Sequence, residues 1–80
     1  MDHKQLVWRC RRGVRELDVL LDKYLQSVYP QLDSNGKASF ERFLEVQDPI
    51  IMDWLFERSV PDVEMINVIK DLRDISNSKT

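Results

Sequence analysis

Arg9-Cys10-Arg11-Arg12-Gly13-Val14-Arg15-Glu16-Leu17-Asp18 gathers four guanidinium groups around one glycine, with two carboxylates close behind. A guanidinium is a planar, permanently charged fork of donors suited to bidentate recognition of carboxylate or phosphate. Glycine carries no side chain, so another molecule's backbone can come close. The chemistry on offer is recognition of a partner rather than the making and breaking of bonds. His3 is the single histidine, so Ser27, Ser34 and Ser39 have no activating base. One cysteine and one histidine cannot assemble a zinc site of nitrogen and sulfur ligands. With Cys10 alone there is no internal disulfide, which fits a reducing compartment.

The same ten residues have a plainer reading. Gly13 can close one helix in the left-handed conformation and serve as N-cap of the next. Glu16 then falls at the third helical position, where its carboxylate can return to the cap amide. Arg9, Arg11 and Arg12 suit a helix C-terminus, while Glu16 and Asp18 suit a helix N-terminus. Two features exceed a cap: Arg15 lies in the first turn of the second helix, where a cation is disfavoured, and four arginines are more than one corner requires. Corner and contact site both remain open from the residues. Trp8 likewise divides between core and a partly exposed anchor beside the arginines. Cys10 among arginines suggests either a lowered thiol pKa or a semi-buried inert thiol. Residues 31–42 imitate a calcium loop around Gly36, but Gln31 and Arg42 occupy the positions that need carboxylates, so a turn and helix start is the better reading.

Short amphipathic helices must hold these groups. Asp2 and Gln5 have the spacing of a capping box, opening a first helix with Leu6, Val7 and Cys10 inside and Gly13 at its end. Leu17, Leu21, Tyr24 and Val28, widened by Leu20 and Leu25, form the stripe of a second helix from Val14 to Tyr29, stopped by Pro30. A third begins at Asp33 or Asn35 and turns Phe40, Phe43 and Leu44 inward. Asp48 as N-cap with Pro49 at the first helical position opens a fourth, with Ile51, Trp54 and Leu55 inside. The break Ser59-Val60-Pro61-Asp62 precedes a fifth from Val63 to Ile75, burying Met65, Ile66, Ile69 and Leu72. No window alternates at period two long enough for a strand. The expected fold is all-α, a small antiparallel bundle of about five short helices: one domain over residues 1–75, with 76–80 a frayed tail.

Charge is polarised along the 80 residues. Residues 1–15 carry five basic groups against one acid, and residues 16–80 carry seven against thirteen, for a net −2. Such a split bears on partners rather than on fold. No apolar run can span a bilayer, and no secretory leader is visible.

Cys10-Arg11-Arg12-Gly13-Val14-Arg15-Glu16-Leu17-Asp18 resembles the Arg-Gly-x-x-Glu-Leu-Asp signature of the succinate dehydrogenase flavinylation factors, the SdhE type. Phe43-Leu44-Glu45-Val46-Gln47-Asp48-Pro49 and Trp54-Leu55 resemble that family's second block, in the same order and spacing. The resemblance implies a five-helix protein, monomeric when free, without catalytic machinery or a stably bound cofactor of its own. It implies action on the FAD of a partner, the flavoprotein subunit of succinate dehydrogenase or fumarate reductase, by promoting covalent attachment to a histidine. It carries partner-binding roles to Arg12, Gly13 and Glu16, with Arg11, Arg15, Asp18 and Trp8 as contributors. Without a basic presequence, a bacterial, cytoplasmic protein is expected. Substituting Arg12→Ala, Gly13→Arg or Glu16→Ala should then abolish flavinylation and leave the bundle folded.

Rival readings use the same residues. A nucleic-acid-binding domain would place the arginines on phosphates, against which stand the sequence pI of 5.3 and the acids Asp18 and Asp22. An antitoxin-like interaction module, a label also applied to relatives of this type, would pair the corner with a small membrane toxin.

Overall fold

The capping box between Asp2 and Gln5 forms at the start of the chain: the Gln5 amide donates to Asp2 Oδ1 at 2.8 Å, and the Asp2 amide to Gln5 Oε1 at 3.2 Å. The computed structural model describes residues 2–77. Among these are α1 (His3–Arg9), α2 (Arg15–Ser27), α3 (Ser34–Phe43), α4 (Asp48–Leu55) and α5 (Ile66–Asn77), with single 3₁₀ turns at Tyr29–Gln31 and Val63–Met65. No strand occurs among the described residues, so the all-α bundle expected from periodicity is the fold.

Helix α5 is the hub, packing on α2, α3 and α4. Leu17, Leu21 and Tyr24 from α2 and Val68, Ile69 and Leu72 from α5 are all buried in one core. Phe40 stacks on Tyr24 at 4.6 Å between ring centroids and on Phe43 at 6.2 Å, closing the core from the α3 side. Ile51 and Trp54 complete it from α4, and no polar or charged residue is fully buried among the described residues. The aromatic cluster and the leucine stripes stabilise the bundle by removing apolar surface from water.

Several boundaries differ from expectation. Helix α1 ends at Arg9 rather than Gly13, because Arg12 is drawn away from the helical path by contacts described below. Val14, not Gly13, is the N-cap of α2, which places Glu16 at the second helical position, so no capping box forms there. Helix α2 ends at Ser27, and Pro30 sits inside the following 3₁₀ turn, whose short hydrogen-bond ladder tolerates a missing amide. Gln47 is the N-cap of α4, with Asp48 first and Pro49 second. Burial in the last helix follows Met65, Val68, Ile69 and Leu72, whereas Ile66 is 44% exposed, since the preceding 3₁₀ turn sets a different phase. Ser76 and Asn77 belong to α5, and the rest of the expected frayed tail, residues 78–80, lies outside the described residues.

Glu57 follows α4 with φ of 60°, a left-handed conformation that L side chains resist. The Arg58 amide reaches back to the Asp53 carbonyl at 2.8 Å, the wider bond of a Schellman-type end. Glu57→Gly should therefore raise stability by about 0.5–1 kcal/mol, read as a higher urea midpoint at unchanged slope. The substitution also removes the Glu57–Arg73 ion pair, but at 3.9 Å and with Glu57 exposed that pair offsets little of the gain.

Candidate functional site

Residues 10–14 form the link between α1 and α2, and Gly13 is its pivot. Its φ is +87°, and a Cβ added there would meet no atom within 4 Å. The glycine is thus required by backbone conformation and faces open space rather than the interior. Arg9, Arg11, Arg15 and Glu16 are exposed, and Trp8 of α1 is 77% exposed beside Arg9 and Glu41. This resolves the two readings of Trp8 in favour of the surface.

Arg12 behaves unlike its neighbours. Its Nε donates to Asp48 Oδ1 at 2.8 Å, its Nη1 to the Leu44 carbonyl at 2.6 Å, and its Nη2 to the Val46 carbonyl. Its backbone amide donates to Asp18 Oδ1 at 2.6 Å. The side chain is only 12% exposed. The guanidinium therefore turns into its own chain, not outward as expected of a partner-facing group. The physical reason lies at the end of α3, where carbonyls have no helical donor and a cation is favoured by the macrodipole. Asp48, in the first turn of α4, supplies the countercharge where an anion is favoured.

Glu16 does not hold the corner. It borders an apolar depression formed by Leu17, Leu20, Met52, Leu55 and Phe56, with Arg73 also at its edge. Asp18, by contrast, is committed to the Arg12 amide. Arg11 stands with Asp18, Asp22 and Lys23 at a second depression, and Arg15 with Glu16 and Lys23 at a third. All three are open to solvent.

Cys10 is buried, and burial pushes its thiol from an ordinary value near 9.0 up to about 11. Asp22 and Asp18 also raise it, and the opposing pull of Arg12 does not prevail. Of the two sequence readings of Cys10 the inert thiol holds and the lowered pKa does not, so Cys10 is a poor nucleophile. Tyr24 is likewise raised to about 12, by burial and then by Asp71. Since both groups lose their protons more readily in the unfolded chain, their stabilisation is complete below pH ~9; the Cys10 share declines as pH rises toward 11 and the Tyr24 share as it rises from 10 toward 12. Urea midpoints should accordingly fall over that interval, and Cys10→Ala should flatten the early part of the fall.

At the calcium-like stretch, the Asp33 carboxylate accepts from the Gly36 amide at 2.7 Å and caps α3. Sequence reasoning treats Asp48 only as a cap and so misses it as a member of the site. Its place in the second signature block is the available signal. The Leu44 and Val46 carbonyls carry no side-chain signal at all.

Residues 4–76 match the family model described as Sdh5, flavinator of succinate dehydrogenase. The chain is 39% identical over 72 residues to the FAD assembly factor SdhE of Pseudomonas aeruginosa, covering 89% of this chain and 86% of that protein. The protein of the same name from Coxiella burnetii is 33% identical over 75 residues, covering 92% of both chains. The one from Shewanella oneidensis is 36% identical over 74 residues, covering 91% of this chain and 90% of its own. No solved structure matches the chain significantly.

Proposed function

The chain belongs to the family of flavinators of succinate dehydrogenase, and from that premise we propose that it binds the flavoprotein subunit of succinate dehydrogenase and promotes covalent attachment of FAD to it. FAD is cargo of the partner, not a resident group of this chain. The observation that carries the reading is the exposed Gly13 bend, ringed by Arg11, Arg15 and Glu16, at the centre of the signature.

On this reading Gly13 lets the partner's surface approach the backbone closely. Arg11 and Arg15 pair with carboxylates of the subunit or with the flavin's phosphates. Glu16 accepts a hydrogen bond across the interface beside the apolar depression, and Trp8 serves as a flanking anchor. The chain contributes no nucleophile or base. Its binding favours a client conformation in which a histidine and the flavin are aligned, converting an improbable encounter into a positioned one. The acting site is expected in the cytoplasm, with the chain monomeric when free.

The test is affinity capture from the native cell, followed by in-gel flavin fluorescence of the captured subunit with and without this gene. Recovery of the flavoprotein subunit, and loss of its fluorescence on deletion, is the expected result. Recovery of a small inner-membrane toxin instead, with flavin content unchanged, overturns the proposal.

A further inference from the structure

Arg12 is the one signature residue that contacts three separate parts of the fold. Its amide is held by Asp18 of α2, two of its guanidinium nitrogens by the carbonyls of Leu44 and Val46 beyond α3, and its Nε by Asp48 at the start of α4. The 11–14 link is thereby fastened to the turn between α3 and α4. A lone carbonyl pair would accept from any donor. The carboxylate on the Nε edge fixes the plane of the guanidinium so that both Nη atoms meet their carbonyls at once. Everything exposed at the bend, from Arg11 through Glu16, is aimed by this fastening.

We infer that Asp48 is a positioning residue for the partner surface, acting through Arg12, so that the two blocks of the signature work as one clamp. Asp48 does not itself touch the partner in this scheme. The inference rests on the proposed function only for its effect on docking; the clamp itself is a property of this chain alone.

The experiment compares the full chain with Asp48→Ala, Asp48→Glu and the control Ile51→Val, which trims one buried methylene from the same helix. Amide hydrogen exchange is read at Arg12 against the core amides of Ile69 and Leu72, and affinity is measured for the captured flavoprotein subunit. Asp48→Ala should speed exchange at Arg12 about ten-fold relative to the core and weaken binding by about as much. Asp48→Glu, which keeps a carboxylate in reach, should recover most of both. Ile51→Val should lower the melting temperature without either effect. Unchanged relative exchange at Arg12 in Asp48→Ala overturns the clamp. Faster exchange with unchanged affinity, or the same loss of affinity in Ile51→Val, overturns its role in docking. If the parent chain captures no flavoprotein, the proposed function fails, and the exchange data still decide the clamp.

Discussion

Gly13→Arg should fold yet leave the flavoprotein subunit without detectable covalent flavin. Its φ of +87° makes any side chain costly, but no atom lies within 4 Å of the new Cβ. The folding penalty is then conformational only, about 1–2 kcal/mol, or a melting temperature lower by roughly 4–16 °C. The same conformational penalty applies to Gly13→Ala, whose methyl group reaches far less into the space a partner would occupy. The two variants therefore separate backbone strain from close approach. If Ala retains most flavin attachment in a deletion strain and Arg retains none, the bend is a docking surface. Equal activities at matched stability would leave Gly13 with a purely conformational task.

Arg12→Ala should produce the largest loss of stability among the link residues. Removing the guanidinium strips the Leu44 and Val46 carbonyls of their donor and leaves Asp48 without a counterion. Broken charged contacts of this kind cost about 3–5 kcal/mol when fully buried, and partial exposure of both side chains reduces this to about 2–4 kcal/mol. In so small a domain the melting temperature should drop by roughly 8–32 °C. Arg12→Lys should recover only part, since one ammonium cannot reproduce a planar fork on three acceptors. Calorimetry of the three proteins checks this directly. A melting temperature for Arg12→Ala within a few degrees of the parent's would mean that water replaces the clamp at little cost. The outcome also matters for reading activity. Loss of flavin attachment in Arg12→Ala reports on a loosened corner, and cannot be assigned to a missing partner contact unless the stability loss is first offset.

Features set by close neighbours are readable from the chain. The Asp2–Gln5 capping box, the Asp33 cap and the stripes of α2 and α3 depend on spacings of three and four residues, which the helix itself converts into adjacency. Arg15 and Glu16 lie at the corner that spacing marks out, and both are exposed. Local pattern misleads where distant parts compete for the same residue. Gly13 suggests a helix end because its left-handed bend is common there, yet α1 stops earlier because Arg12 has partners elsewhere. Ile66 and Val68 exchange roles because a 3₁₀ turn of three residues shifts the phase of the helix that follows it.

Residue order alone therefore determined the helical class, most of the core, the family signature and the cationic bend. Tertiary structure decided which arginine faces outward and which is consumed. Arg12 and Asp48 are 36 residues apart, and no local rule pairs them. Only the packing of α2, α3 and α4 around α5 brings a carboxylate and two donor-less carbonyls to one guanidinium. An unpaired acceptor at a helix end is costly enough to draw that side chain in from the surface.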